Sequence, residues 1–433
     1  MSSRVLQAYI GGQHIGELSG ENGIWSFTYD STWVSAADSY PLSPALPLGE
    51  APIVDTGSQR PVQWYFDNLL PEEGASTLLA KDAKLDAADA FGLLSYYGAE
   101  SAGSLTLLTG ASKPLTDDVR PLEDGQLQAR INALPRVSLA ANAVKRMSLA
   151  GAQHKLAVVL RDDALFEPIG HTPSTHILKP DHKDVDYPHT VINEYFTMTL
   201  ARAMRLKAPA VFRRYVPAPV YLVERFDRVI SSTTVERLHL IDACQALNLD
   251  RQFKYTEGSV AKLAELANCC TAPAAARLRL YAWLVFNMLT GNGDAHLKNL
   301  SFLVTRRGIE LSPCYDLVSV AVYGTRAFGK DKWPASQLAW PLNGKNTFAT
   351  LTRDDMLDAG AAMGIGREAA NRLLDAQVTR IQEAARALAL RIEHENVALA
   401  AAQPALAATF AGELRCLRSI TEIVIGDMAA RLR

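Results

Sequence analysis

Long hydrophobic runs are missing from this chain. Nowhere do about eighteen apolar residues follow one another, the length a membrane-crossing helix needs. The N-terminus, Met1 to Ile10, passes straight into strand-like alternation without the apolar centre of a signal peptide, so a soluble, cytoplasmic protein without membrane partners is expected. A surplus of charge of either sign is missing too. Lys plus Arg number 44 against 46 for Asp plus Glu, a formal net charge of -2, with no basic stripe of the kind that grips nucleic acid directly. Cysteine is scarce: the five, at 244, 269, 270, 314 and 416, include no Cys-x-x-Cys pair and suggest neither a disulfide framework nor a zinc site. Reduced thiols are the simplest account. No repeat of fixed period runs through the sequence.

What is present is length and pattern. A chain of 433 residues exceeds one ordinary core and suggests two or three domains of about 150 residues each. Val5–Ile10 and His14–Leu18 flank Gly11-Gly12 and predict a hairpin. The three prolines of residues 41–48 exclude a helix or a central strand and predict an extended, packed connector. Helical pattern begins near Trp64, and Phe91–Leu108 reads as helix, glycine turn and strand; 111–124 is polar and reads as a linker. Strands are expected at 156–160 and ending at Lys179, and an amphipathic helix over 191–206, with Glu194 near its start. Beyond residue 240 the pattern is mostly helical. It is interrupted by strand-like pieces at 300–320 and by a Trp, Pro and Gly-rich insertion at 332–345; residues 369–402 read as one long helix.

The chemistry concentrates in Gly291-Asn-Gly-Asp-Ala-His-Leu-Lys-Asn-Leu-Ser301. A helical, apolar run leads into this polar loop and a β-rich run leads away. Asp294 precedes Asn299 by five positions, the Asp-x-x-x-x-Asn spacing of a protein-kinase catalytic loop, in which the Asp accepts the acceptor hydroxyl proton and the Asn holds magnesium. Asp316 follows after another β-rich stretch, where a kinase places its second metal ligand. Taken alone, Asn292-Gly-Asp294 is no more than a good turn. Upstream, Ser148-Leu-Ala-Gly151-Ala-Gln-His-Lys155 is a small-residue loop before a strand, where backbone N–H groups can approach phosphates; a simple β-turn has the same composition. Lys179 ends a short β run, as the nucleotide-phosphate lysine of kinases does, although a solvated lysine is the default. Glu194 could pair with Lys179 or simply favour a helix N-terminus. Glu224-Arg225-Phe226 closes a strand that turns polar, the layout of a segment that passes an adenine, although an edge strand with alternating charge reads the same way.

In this order the motifs closely resemble the HipA family of bacterial serine/threonine kinase toxins. They are Ser148–Lys155, Thr175–Lys179, Asn193-Glu194-Tyr195, Val223–Arg228, Gly293–Asn299 and Tyr315-Asp316. Leu46-Pro-Leu48, Phe66–Pro71 and Gly103–Leu108 resemble the small N-terminal domain of full-length members. The resemblance implies an α+β, two-lobed, protein-kinase-like fold. Residues 1–125 would be the small β-containing N-terminal domain, 126–240 the nucleotide-binding N-lobe region, and 241–433 a mostly helical lobe carrying the catalytic loop. It implies ATP and Mg2+ as cofactors. Ala150, Gly151, Ala152, Gln153, His154 and Lys155 would form the phosphate loop, Lys179 the phosphate lysine, and Glu224, Arg225 and Phe226 the adenine segment. Asp294 would be the base. His296, Leu297, Lys298 and Asn299 would contact nucleotide and metal, and Tyr315 and Asp316 would complete the metal site. Ser148 would be the site of inhibitory autophosphorylation. The implied partners are a small helix-turn-helix antitoxin (HipB-like), operator DNA through it, and an aminoacyl-tRNA synthetase, notably the glutamyl enzyme, as substrate. Asp316 is followed by Leu317 and Val318, not Phe-Gly, so the activation-loop logic of eukaryotic kinases does not carry over. The alternatives are a small-molecule phosphotransferase of the same fold and a non-catalytic corepressor; the latter would need a broken site.

Overall fold

The computed structural model describes residues 4–110, 118–141, 143, 147, 149–151, 153–231 and 234–433, and the fold is mixed α+β. Packing divides the chain into two compact units. The first is Met1–Lys179, Leu222–Lys254 and Ser301–Ser312; the second is Pro180–Tyr221, Tyr255–Leu300 and Pro313–Arg433. Neither is a contiguous segment, so the units differ from a division at 125/126 and 240/241. Those two breaks would cut the helix Asp124–Ala133 and the strand Leu240–Asp242.

The first unit opens with a five-stranded antiparallel sheet. Its strands are β1 (Arg4–Ile10), β2 (Gln13–Glu21), β3 (Ile24–Tyr29), β4 (Ile53–Val54) and β5 (Leu105–Leu108), in the order β4-β3-β2-β1-β5. Gly11 and Gly12, with φ of 57° and 82°, make the tight turn between β1 and β2 that their sequence predicts. Leu6, Ala8, Leu18 and Phe27 alternate onto the buried face. Phe27 meets Phe66 there, and Trp25 meets Phe91 edge-on. The proline-rich connector is packed, as expected, but not extended throughout: it turns at residues 44–45, where the Leu46 amide donates to the Ser43 carbonyl (3.0 Å). The Tyr29 hydroxyl serves it as a buried partner, accepting from the Leu42 amide (2.8 Å) and donating to the Leu46 carbonyl (2.6 Å).

A second antiparallel run follows the order β6-β8-β7-β9, with β6 Asp118–Pro121, β7 Leu156–Arg161, β8 Ala164–Ile169 and β9 His176–Pro180. β6 lies inside the stretch read as a linker. Four residues, Asp-Val-Arg-Pro, carry too little alternation to announce a strand. What holds them is tertiary: Glu167 on β8 is buried and accepts from Arg120 of β6 (2.5 Å) and from Arg130 of the following helix (2.7 Å). Leu240–Asp242 pairs with Ser301–Thr305, which pairs with Gly308–Leu311, and all three strands belong to the first unit.

The second unit is mostly helical and is built around Pro273–Thr290, whose residues 283–290 are all buried. Two expectations for this unit need correction. Residues 369–402 are two helices, Arg367–Val378 and Ile381–Ala402, although no breaker separates them. Val378 and Ile381 are both buried, and Thr379 turns its hydroxyl back onto the Asp375 carbonyl (2.6 Å), so packing on both sides bends the chain against its helix propensity. The insertion at 332–345 contains a strand, Gln337–Leu342, paired with Lys345–Thr347 through Asn343-Gly344, both at positive φ. That Asn-Gly pair was the available hairpin signal. Among the described residues no helix is long and apolar enough to cross a membrane.

Candidate active site

In the second unit the helix Pro273–Thr290 ends at Gly291, whose φ is +65°. A Cβ there would stand 2.6 Å from Val424 and 2.7 Å from Ala321, so both backbone and space demand glycine. The loop beyond it is fixed by its own polar groups. Asn292 donates from Nδ2 to Asn287 Oδ1 (2.7 Å) and accepts the Asp294 amide on its own Oδ1 (3.1 Å). The Asp294 carbonyl accepts from the His296 amide (2.7 Å) and from Asn299 Nδ2 (2.9 Å). Asp294 and Asn299, five apart in sequence, are thereby clamped together, with Asp294 partly exposed and Asn299 buried.

That clamp sets the chemistry of Asn299. One of the two N–H donors of its amide goes to Asp294, and its amide oxygen is a hard donor suited to magnesium. Asp316 supplies a carboxylate and stands at φ +57°, a conformation that costs an ordinary L-residue about 1 kcal/mol or more and that often marks functional sites. Its neighbour Tyr315 donates to the Lys298 carbonyl (2.7 Å), which ties the Asp316 turn to the catalytic loop. One carboxylate and one amide oxygen make a set that magnesium takes when phosphates and water complete its shell. The side chain of Leu297 is fully buried, so only its backbone can face a ligand.

Two tyrosines escaped the sequence reading. Tyr221 is fully buried, and burial, followed by the charges of Glu194 and Asp316 beside it, pushes its hydroxyl pKa well above the usual range. Glu194, on the helix Thr190–Ala203, and Asp316 thus both act on the same buried hydroxyl. Tyr255 donates its hydroxyl to Asp294 Oδ1 and packs edge-on against the His296 ring, at 4.9 Å and 82°. Neither tyrosine belongs to a spacing motif, which is why neither was legible.

The first unit carries the remaining assigned residues. Gly151 has φ +106° and pairs with Pro71; its carbonyl accepts from the Glu72 amide (3.3 Å). Lys155 donates to the Ala150 carbonyl (2.6 Å), and Gln153, His154 and Lys155 are all partly exposed. Ser148 and Ala152 lie outside the described residues. Lys179 is buried near the end of β9. Glu224 and Phe226 are partly exposed, but Arg225 is buried and its groups are committed. Its amide donates to the Thr175 carbonyl (2.9 Å), its carbonyl accepts from the Arg228 amide (3.2 Å), and its guanidinium joins an ion network. In that network Glu100 Oε1 accepts from Arg225 (3.1 Å), Arg228 (2.9 Å) and Ser174 (2.7 Å). Asp227 Oδ2 accepts from Arg225 (2.7 Å), Arg228 (2.9 Å) and the Gly103 amide (2.7 Å). Burial alone would raise the Asp227 carboxyl, yet the two arginines overcome it and hold the pKa at about 2. Within 224–226, therefore, Arg225 serves the scaffold, and any contact with a base falls to Glu224 and Phe226.

Comparison with known proteins identifies the family. Residues 147–385 match the HipA-like C-terminal domain, and residues 6–108 match the HipA N-terminal domain. The serine/threonine-protein kinase toxin HipA of Shewanella oneidensis is 34% identical over 340 residues, covering 73% of this chain and 76% of that protein. A protein of Sinorhizobium fredii named as a candidate kinase, Y4mE, is 33% identical over 398 residues, 89% of this chain and 91% of its own length. The structure of HipA from Shewanella oneidensis in complex with HipB and operator DNA superposes with a TM-score of 0.78 at 28% identity, covering 99% of both chains. The class so defined is a serine/threonine-protein kinase. Within that class, the chain belongs to the HipA family.

Proposed function

We propose that this kinase is the magnesium- and ATP-dependent toxin of a type II toxin–antitoxin module, acting in the cytoplasm on a hydroxyl of a translation protein, with an aminoacyl-tRNA synthetase of glutamyl type as substrate. The observation that carries the chemistry is the clamped pair Asp294 and Asn299, together with Asp316 in its left-handed turn. Asp294 takes the proton of the acceptor hydroxyl as the hydroxyl oxygen bonds to the γ-phosphorus and the bond from that phosphorus to the β,γ-bridging oxygen breaks, with ADP leaving. Asn299 and Asp316 hold the metal. Magnesium, when bound, neutralises charge on the phosphates. Lys179 and the backbone of residues 150–155 bind phosphate, His296 and Lys298 support the nucleotide, and Glu224 with Phe226 borders the base.

The antitoxin is a small helix-turn-helix protein, and operator DNA is reached through it. The solved relative with HipB and operator DNA supports this, and so does a net charge of -2 that offers DNA little by itself. Ser148 is the proposed autophosphorylation site: a phosphate there adds about -1.5 to -2 charges beside the triphosphate and disfavours the loop over it. The test is incubation of the protein with ATP, magnesium and a bacterial lysate, followed by phosphosite mapping. Asp294→Asn should lower transfer by about a hundred to ten thousandfold while nucleotide binding persists. Near-wild-type transfer by that variant would refute the assignment of the base, and phosphate appearing only on small molecules would favour the phosphotransferase alternative.

A further inference from the structure

A carboxylate that serves as a base has two oxygens and a softly hindered bond to its backbone, since the terminal torsion of Asp is broad and roughly two-fold. The backbone of Asp294 is held from three sides by Asn292, His296 and Asn299, but none of those bonds fixes the plane of the carboxylate. Tyr255 does. Its phenol donates to Asp294 Oδ1, which commits that oxygen and sets the direction in which Oδ2 faces. We propose that Tyr255 is the positioning residue of the phosphotransfer reaction, orienting Asp294 toward the acceptor hydroxyl; this rests on Asp294 being the base.

The surroundings of Tyr255 fit an aligning strut rather than a swinging gate. One side of the ring is braced edge-on against His296, which is buried on the same loop as Asp294. The Tyr255 carbonyl accepts from the Gly258 amide (3.1 Å). Gly258 is itself tightly seated, since a Cβ there would lie 3.2 Å from the Tyr255 carbonyl and 3.3 Å from that of Ala339. The next residue, Trp340, donates its indole N–H to the Ala295 carbonyl, so the segment that backs the Tyr255 turn also grips the loop next to Asp294. Tyr255 remains 42% exposed and its bond to Asp294 is exposed too, so the pair stands at the protein surface and not in the core. Hydrogen bonds to charged groups are among the stronger ones in proteins, and misalignment of a reacting group by about an ångström costs on the order of a hundredfold in rate.

The experiment compares the full-length protein with Tyr255→Phe, Asp294→Asn and the double variant. Initial rates of phosphate transfer from labelled ATP into lysate protein are measured at saturating magnesium-ATP, alongside the KM for ATP. Phenylalanine keeps the ring against His296 and removes only the hydroxyl. The expected result is a turnover about ten to a hundredfold lower for Tyr255→Phe, with the KM for ATP within about twofold of wild type. In the Asp294→Asn background the second substitution should cost nothing further, because a residue acting through the carboxylate has no effect once the carboxylate is gone. A merely structural tyrosine would instead shift KM and stability along with turnover. Turnover of Tyr255→Phe within twofold of wild type, or above it, overturns the inference, as do effects that multiply in the double variant. If Asp294→Asn is crippled while Tyr255→Phe is not, only this inference fails. If Asp294→Asn stays active, the proposed base itself is wrong.

Discussion

Asp227→Asn isolates the energetic weight of the ion network behind the segment 224–226. The side chain is buried, and its carboxylate is held at about 2 against an ordinary 3.8. A difference of roughly two units corresponds to about 2.5 kcal/mol favouring the folded state when the group is ionised. Asparagine preserves the shape but leaves Arg225 and Arg228, both buried, with Glu100 as their one remaining carboxylate. Removing one partner of a buried pair costs about 3–5 kcal/mol, because a desolvated charge is left behind. Both routes point to a loss of about 3 kcal/mol, on the order of 10 °C in the melting temperature at about 2–4 °C per kcal/mol.

The sign with pH follows from the depressed pKa. Between about pH 4 and pH 2 the unfolded chain binds a proton at Asp227 that the folded chain refuses, so acid favours unfolding there. The contribution is complete above the unfolded value of 3.8 and disappears as pH falls through about 2. Calorimetry of wild type and Asp227→Asn at neutral pH, with urea titrations from pH 5 down to pH 2.5, measures both parts. A neutral-pH loss below about 1 kcal/mol, or an acid limb of stability unchanged in the variant, would refute the reasoning.

Magnesium-ATP at about a hundred times its dissociation constant should add roughly 2.7 kcal/mol of stability, read as a thermal shift. Asp316→Ala should abolish most of the magnesium-dependent part of that shift while stabilising the metal-free fold slightly or not at all, since alanine tolerates φ +57° less well than aspartate does. Glu413 presents the opposite case from Asp227. Burial, against the opposing Tyr215 hydroxyl at 2.8 Å and Arg213 at 3.8 Å, raises its pKa to about 7. Its ionisation in the folded state is therefore unfavourable, and stability falls as pH rises from about 4.5 to about 7. Glu413→Gln should be more stable than wild type by about 1–3 kcal/mol at pH 8 and no more stable at pH 4.5, as chemical denaturation at the two pH values will show.

The parts of this structure that were legible from sequence are those that local rules determine. The Gly11-Gly12 hairpin, the helix at 190–203 and the helix that ends at Gly291 follow from turn chemistry and apolar spacing. The spacing of Asp294, Asn299 and Asp316 was legible because the kinase pattern puts the first two in one loop and the third beyond the strands that follow it. The illegible parts depend on partners distant in sequence. β6 is a strand because Glu167, 47 residues after Arg120, takes that arginine in ion pair. The bend at Thr379 exists because two faces of one apolar stretch find different neighbours. Tyr255 meets Asp294 across 39 positions, with no spacing rule to announce it. Arg225 reads as an adenine-segment residue until Glu100, 125 positions earlier, claims its guanidinium.

That long reach also decides how the chain can be divided. The two matched family segments, 6–108 and 147–385, look like separable domains in sequence, yet buried polar groups of the second find their partners in the first. Arg228 donates to the Gly103 carbonyl (3.1 Å), Arg225 to that of Ser101 (3.1 Å), and Arg237 to that of Leu105 (2.9 Å) and to the Thr106 hydroxyl (2.8 Å). Gln245 donates to the Tyr65 carbonyl (2.9 Å), and Lys254 pairs with Glu72 (2.5 Å). Deleting residues 1–110 would remove all of these acceptors at once, and each orphaned buried group costs about 1–3 kcal/mol, more where it is charged. Five such groups amount to roughly 5–15 kcal/mol, as much as the whole stability of an ordinary domain, before the apolar surface newly exposed is counted. A chain beginning at residue 118 should therefore be insoluble or lack a cooperative thermal transition, whereas the full-length protein unfolds cooperatively. Recovery of a soluble, monodisperse fragment that melts cooperatively within a few degrees of the full chain would show that the N-terminal segment is an accessory, and that these buried bonds are replaced by water at little cost.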